Sequence, residues 1–151
     1  MTSFSKKNNE VLMSPLQGQL KRGNKALAQV EVKQVVDESY ESVTVTDDEG
    51  CFNFPVVTRK KPSGFEVEFT AAQELFYRNE SGWIRFWGGV KREPTLNSEA
   101  RGKDFSLSCN IDIQEESYMI GSSFYHTNCR WGVESDPPID FDDMFDTEEP
   151  N

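Results

Sequence analysis

The feature that most constrains this chain is an alternation of side chains with period two on both sides of a short acidic turn. Val43 and Val45 fall on one face of an extended segment, and the threonines between and after them fall on the other. Phe52 and Phe54 resume the alternation after the turn. A period of two is typical of β-strands, and the aspartates and glycine between the two runs favour a tight turn. Residues 43–55 therefore predict a β-hairpin.

Other segments of the chain predict further strands. Alternating or β-branched runs occupy residues 15–20, 28–33, 65–69, 83–87, 105–113 and 124–131. Residues 71–77 fit either a helical turn or a continued strand, and both interpretations stay open. Because no segment of ten residues or more has a helical period, we predict an all-β fold, a single antiparallel β-sandwich of seven or eight strands.

The length and the charge distribution divide the chain into three parts. With 151 residues, we expect one domain at 14–133, a flexible arm at 1–13 and an acidic tail at 134–151. The tail holds eight of the 26 acidic residues and none of the 16 basic ones, so the rest of the chain is nearly neutral. This balance disfavours binding to nucleic acid or to an anionic membrane, and it favours a basic protein partner.

The N-terminus and the cysteines indicate a compartment. The first residues lack an apolar signal region, and no window has the ~20 apolar residues of a membrane span, so we expect a soluble, cytoplasmic protein. The cysteines Cys51, Cys109 and Cys129 lack the spacing of a zinc finger, and reduced thiols are expected. Cys109 and Cys129 can still face each other from neighbouring strands, and the sequence does not decide whether they form a disulfide.

Three spaced patterns resemble the repeat-like domain of carboxypeptidase-regulatory and transthyretin-like sandwiches. They are Leu16-x-Gly18-x-Leu20, Gly23-x-x-x-Leu27-Ala28-x-Val30-x-Val32 and Thr44-x-Thr46-Asp47-x-x-Gly50-x-Phe52-x-Phe54-Pro55. In that superfamily the last pattern is the hairpin turn, so the resemblance implies a transthyretin-like sandwich. It implies no reaction, because a shared fold does not specify a function.

A second set of features, over about residues 14–131, is similar to a family of bacterial transthyretin-like proteins often encoded near type VI secretion genes. The features are Pro55-Val56-Val57-Thr58-Arg59, Trp87, Lys91-Arg92, Glu99-x-x-Gly102 and Leu107-x-Cys109-x-Ile111. The resemblance implies a setting of antibacterial competition, in which small β proteins commonly serve as immunity proteins or effector accessories.

No catalytic, metal or cofactor site is predicted. His126 is the single histidine, and a structural or surface role is expected for it, since on a strand Cys129 points to the opposite face. The acidic turn at 47–50 lacks the ligand spacing of a calcium loop. Trp83, Arg85 and Trp87 fall on one strand face, which fits a protein interface or a sugar platform, but the alternative of an indole pair in the core or under the following loop is favoured.

The tail contains the other predicted binding element. Its acidic residues alternate with apolar ones, and the candidate partner-binding residues are Ile139, Asp140, Phe141, Asp142, Asp143, Met144, Phe145 and Asp146. On a helix, Phe141, Met144 and Phe145 form one apolar face. The segment also resembles the acidic tip of bacterial single-stranded-DNA-binding proteins, although it lacks their terminal Pro-Phe. A solvated tail without a partner is the alternative.

These observations predict a non-enzymatic protein-interaction protein. The most specific version is an immunity protein that blocks the basic cleft of a type VI effector toxin. The alternatives are an adaptor that docks an effector or spike of the secretion apparatus, and a carbohydrate-binding sandwich.

Overall fold

The computed structural model describes residues 9–61 and 68–137, which form an all-β structure. The strands are β1 (Asn9–Met13), β2 (Leu16–Arg22), β3 (Lys25–Ala26), β4 (Glu31–Val36), β5 (Tyr40–Val45), β6 (Cys51–Phe54), β7 (Val57–Lys60), β8 (Ala71–Asn79), β9 (Gly82–Lys91), β10 (Phe105–Asn110), β11 (Glu116–Ile120), β12 (Ser123–Thr127) and β13 (Cys129–Arg130). One 3-10 turn, Ser98–Ala100, interrupts the described strands. The all-β prediction is confirmed, whereas the strand count is higher than the seven or eight expected.

The strands form three sheets. The largest has the order β11-β12-β9-β8-β4-β5 and is antiparallel throughout. A five-stranded sheet has the order β13-β10-β2-β3, with β6 also paired to β2, and β1 pairs with β7. Strands β2 and β10 are parallel, so the sheets are not purely antiparallel as predicted. Strands β2 and β10 are neighbours in the sheet but are separated in the chain by β3 to β9. No short hairpin therefore requires them to be antiparallel.

The predicted 43–55 hairpin is wrong in its pairing, although its turn forms. Gly50 donates its backbone N–H to the Asp47 carbonyl at 3.0 Å, and the Asp47 carboxylate accepts the Cys51 N–H at 2.9 Å. Beyond this turn the strands separate, since β5 pairs with β4 in the six-stranded sheet and β6 pairs with β2 in the other. The turn therefore connects two sheets.

Side chains from both large sheets meet in one core. Phe52 of β6 packs edge-on against Phe86 of β9, with ring centroids 6.1 Å apart. Trp87 of β9 packs against Phe105 of β10 at 5.4 Å. Because these contacts join opposite sheets, the inward face of each sheet is covered by the other.

The predicted flexible arm is wrong for its last five residues. Asn9–Met13 is strand β1, and its Val11, Leu12 and Met13 side chains are buried. These three consecutive apolar residues were too short a run to indicate a strand alone, but they are buried once β7 and β8 pack against them. Residues 1–8 of the predicted arm lie outside the described residues. The ambiguous segment 71–77 is strand, within β8.

A buried ion pair lies between the sheets. The Lys91 ammonium and the Glu99 carboxylate are 3.2 Å apart, and both side chains are fully buried. Lys91 also donates to the Thr95 carbonyl at 2.7 Å and to the Ser98 hydroxyl at 2.6 Å. Burial lowers the pKa of Lys91, and the neighbouring Glu99 carboxylate opposes that lowering. The ammonium therefore has three acceptors, which compensates its removal from water.

Hydrogen bonds connect Glu99 to other parts of the chain, both through its carboxylate and through its backbone carbonyl. It accepts hydrogen bonds from the Ser14 hydroxyl and backbone N–H at 2.6 and 3.0 Å, and from the Gln73 amide at 2.9 Å. The Trp131 indole donates to the Glu99 carbonyl at 2.8 Å. Gln73 in turn accepts the Trp87 indole N–H at 3.1 Å. This set of residues is called the Glu99 network below.

The expected reduced state of all three cysteines is wrong. Cys109 of β10 and Cys129 of β13 lie directly opposite each other and form a disulfide, which leaves Cys51 free. The open alternative from the sequence, a pairing from neighbouring strands, is therefore the observed one. No helix in the described residues is long and apolar enough to cross a membrane.

The Glu99 network predicts a large loss of stability when one charge is removed. Glu99→Gln leaves the Lys91 ammonium buried without its carboxylate, so we expect unfolding in urea to require about 3–5 kcal/mol less free energy. The Lys91→Met, Glu99→Gln double variant removes both charges and should lose less than the sum of the single losses. Exposed Glu80→Gln is the control and should stay within about 0.5 kcal/mol of wild type. An equally small effect of Glu99→Gln would contradict the network.

The disulfide predicts a thiol count. Denatured protein prepared without reductant should react at one thiol per chain, Cys51, and at three after reduction. Because the bridge joins residues 20 apart, the Cys109→Ser, Cys129→Ser variant should be less stable by about 3 kcal/mol, while Cys51→Ser should change stability little. Three reactive thiols before reduction would show that the bridge is absent.

Candidate functional site

A β-bulge separates the three residues predicted to share one face of β9. Leu75 pairs with Trp87 and Phe76 pairs with Arg85, so Phe86 is an extra residue in β9. Phe86 and Trp87 both point into the core and are fully buried, whereas Trp83 and Arg85 point outward. The prediction that Trp87 shares a face with Trp83 and Arg85 is therefore wrong, because the bulge shifts the alternation by one residue. The alternative, an indole in the core, is confirmed for Trp87 alone.

Trp83 is the centre of an aromatic and cationic cluster on the outward side of the six-stranded sheet. The Lys33 ammonium lies 4.5 Å from the Trp83 ring centroid and 5.2 Å from that of Phe76. The Arg78 guanidinium lies 5.6 Å from the Trp83 centroid. The indole is half-buried between these side chains, and one part of its surface stays open to solvent. Cations on an aromatic face hold the ring in a defined orientation.

Arg85 extends the cluster across the sheet. Its guanidinium contacts the Glu74 carboxylate at 3.3 Å and lies over Gly88. A Cβ on Gly88 would be 2.8 Å from the guanidinium carbon, so the absent side chain creates the space that Arg85 fills. Beside it lies a shallow groove of about 340 Å³, which Arg85, Gly88, Phe124 and His126 help to line.

His126 lies beside Gly88 on the neighbouring strand β12 and points to the same side of the sheet as Arg85. Its Nδ1 lies 3.0 Å from the Ser117 hydroxyl, and its Nε2 lies 2.9 Å from the Glu115 carboxylate. The residue types match those of a hydrolase triad, but the His126 and Glu115 side chains are 36% and 37% exposed. A nucleophilic site relies on water exclusion and oriented donors, so we interpret these contacts as hydrogen bonding at the surface. Cys129 is bonded to Cys109, which excludes a Cys-His dyad.

The outward side chains of these strands are called the outer face below. It consists of Lys33, Glu74, Phe76, Arg78, Trp83, Arg85, Ser117, Phe124 and His126. The sequence indicated only Trp83 and Arg85 among them. The alternation of 31–36 could have identified Lys33, whereas Phe76 lies in segment 71–77, whose sequence fits either a helical turn or a strand. The residues meet because β4 pairs with β8, whose partners are 37–45 positions away, and β9 pairs with β12, whose partners are 34–40 positions away.

The predicted tail residues Ile139, Asp140, Phe141, Asp142, Asp143, Met144, Phe145 and Asp146 lie outside the described residues. The described chain approaches them along the edge of β11. Asp136 accepts the Arg101 guanidinium at 2.7 Å and the Gly121 N–H at 2.8 Å, and these hydrogen bonds lower its pKa. Its own N–H donates to the Met119 carbonyl at 2.7 Å. The chain is thus fixed to the body up to this point.

The acidic turn at 47–50 acts as a turn. The Asp47 carboxylate accepts backbone N–H groups from Glu49 and Cys51, both at 2.9 Å, and is occupied by them. In the parts of the chain that the structure covers, no group of three or more histidine, cysteine or acidic side chains is placed to hold a metal ion.

The comparisons with known proteins identify a family. The model of a family described as Domain of unknown function (DUF6795) matches residues 16–114. This span contains the Lys91–Glu99 pair and the outer-face residues of β4, β8 and β9, and it excludes Ser117, Phe124 and His126. A search of curated proteins and a search of solved structures each gave no match.

Substitution of the two adjacent glycines of β9 by alanine should destabilise the protein to different extents. A Cβ on Gly88 meets only the end of the Arg85 side chain, which can move, so Gly88→Ala should change stability by less than about 1 kcal/mol. A Cβ on Gly89 would overlap the Phe124 carbonyl oxygen and the Tyr125 ring, so Gly89→Ala should lose about 1–3 kcal/mol or more. Thermal unfolding of both variants measures the difference. Equal losses would contradict the placement of Arg85 over Gly88.

Proposed function

The chain belongs to the DUF6795 family, and for this member of it we propose a non-enzymatic role in which the outer face binds a protein partner. The observation that carries the proposal is the Trp83 cluster. A half-exposed tryptophan held by Lys33 and Arg78, next to Arg85 in its pair with Glu74, has the composition of an interface hot spot. We include in the proposal a transthyretin-like sandwich as the scaffold.

The side chains present on the outer face support a protein rather than a sugar as partner. The carbohydrate-binding alternative needs Trp83 and Trp87 side by side, and Trp87 is buried in the core. One tryptophan remains for stacking, and it is surrounded by charged side chains that suit hydrogen bonding to a polypeptide.

The most specific version of the proposal is an immunity protein that occludes the basic cleft of a type VI effector toxin. Its support is the resemblance of the sequence to proteins encoded near type VI secretion genes, together with the eight acidic residues of 134–151. In this version the tail carboxylates pair with lysine or arginine of the partner, and Phe141, Met144 and Phe145 fill apolar pockets. An adaptor that docks a spike or an effector is the alternative, and co-purification with spike or toxin distinguishes them.

The proposed cytoplasmic location has a condition. A reducing cytosol keeps thiols open, so a cytoplasmic protein requires the Cys109–Cys129 pair to be reduced in the cell. Alkylation of thiols in intact cells, before lysis, measures that state. A Cys109–Cys129 bridge already present in the cells would favour an oxidising compartment instead.

The test of the proposed function is affinity for the product of the adjacent gene. Trp83→Ala should weaken binding by about 30-fold, since a hot-spot tryptophan contributes about 2 kcal/mol. Deletion of 138–151 should weaken it further and reduce its dependence on salt. Leu96→Ala, which removes an exposed apolar side chain elsewhere, is the matched control and should bind as wild type does. Unchanged affinity of Trp83→Ala would overturn binding through the outer face, and unchanged affinity of the deletion would overturn the role of the tail.

A further inference from the structure

The two edges of the six-stranded sheet differ in whether another segment of the described chain covers them. At the β11 edge, Met119 donates its N–H to the Ser135 hydroxyl at 2.8 Å and accepts the Asp136 N–H at 2.7 Å. The segment after β13 therefore occupies that edge. At the other edge, β4 is the one strand that pairs with β5 in the residues the structure describes.

Strand β5 directs a row of backbone groups away from the sheet. Thr46 donates its N–H to the Val30 carbonyl at 2.9 Å, on the β4 side. Because the hydrogen-bonding direction alternates along an antiparallel strand, Glu41, Val43 and Val45 direct their N–H and C=O groups outward. Val43 and Val45 are 48% and 53% exposed. Three donors and three acceptors thus lie in register along an edge that no other strand of residues 9–61 and 68–137 covers.

The sequence of β5 lacks the usual protection of an edge strand. Natural sheets block such edges with proline, lysine, a bulge or a covering segment. The six residues of β5 contain neither proline nor lysine, their register with β4 is unbroken, and Glu41 is their one charge. The strand is therefore competent to pair with another extended chain.

The charges at the two ends of β5 determine which kind of extended segment can pair with this edge. Glu38 and Glu41 are exposed at one end, and Asp47, Asp48 and Glu49 are exposed at the other. The nearest cation on the outer face, Lys33, is engaged by the rings of Phe76 and Trp83. A second copy paired about a two-fold axis would bring acidic ends together, which is unfavourable.

We propose that the open edge of β5 binds an extended segment of a partner protein, with apolar residues in alternation and lysine or arginine at both ends. The main-chain groups of Glu41, Val43 and Val45 supply the pairing, as in other cases of β-strand addition. Alternate apolar side chains of the segment pack beside Val43 and Val45, and its basic ends meet the two acidic clusters. This edge adjoins the outer face, since Val43 pairs with Lys33 across β4 and β5, but the proposed pairing uses main-chain groups of β5 and does not require Trp83.

The probe is a seven-residue peptide of alternating threonine and valine with one lysine at each end. We expect it to slow amide exchange at Val43 and Val45 in the full chain, and to bind more weakly as salt rises. The same peptide with glutamate ends should bind at least about tenfold more weakly. Val43→Pro removes one outward N–H and keeps every bond to β4, so peptide affinity should fall by about tenfold. Val43→Thr keeps that N–H and is the matched control.

Several results would overturn this proposal. They are unchanged exchange at Val43 and Val45 with saturating peptide, equal affinity of the lysine and glutamate peptides, and equal affinity of Val43→Pro and Val43→Thr. Sedimentation of the free chain as a dimer that Val43→Pro dissolves would assign the edge to a second copy. Slow exchange at Val43 without peptide in a monomeric chain would assign it to a segment of the same chain. The exchange at Val43 and Val45 does not report on Trp83, and the comparison of Val43→Pro with Val43→Thr separates pairing at the edge from binding of the peptide lysines to the acidic tail.

Discussion

The buried pair of Lys91 and Glu99 is the interaction on which the other parts of the structure depend. Its two charges are removed from water, which is unfavourable unless each finds several polar partners. Those partners come from the β1–β2 connection through Ser14, from β8 through Gln73 and from the loop before β10 through Ser98. Each of these elements must therefore be in place for the pair to be satisfied, so the pair specifies one assembly of the sheets.

The same network determines which side chains reach the outer face. Gln73 binds both the Glu99 carboxylate and the Trp87 indole, so Trp87 is held inside the core. With Trp87 inside, the bulge at Phe86 leaves Trp83 and Arg85 on the outward side. The proposed binding face is thus built on a strand whose register is fixed from within, which suits a surface that binds without rearrangement.

Period-two alternation predicted much of the fold from local signals alone. It placed Phe52 and Phe54 on one face of an extended segment, and in the structure both are buried in β6. It failed at Trp87, because a bulge adds one residue and nothing in Trp83–Trp87 marks the position. It also failed for the 43–55 hairpin, since the turn chemistry of Asp47 and Gly50 is local but the choice of partner strand is not. Lys91 and Glu99 lie between the alternating runs at 83–87 and 105–113, and only tertiary contacts place both side chains in the interior.

The central claim is that Trp87 and Trp131 belong to the Glu99 network while Trp83 belongs to the outer face. Hydrogen exchange of the three indole N–H groups, followed by nuclear magnetic resonance, tests it most directly. The indoles of Trp87 and Trp131 donate to Gln73 and to the Glu99 carbonyl, so both should exchange only on global unfolding, while that of Trp83 should exchange rapidly. Rapid exchange at Trp87, matching that of Trp83, would contradict the account.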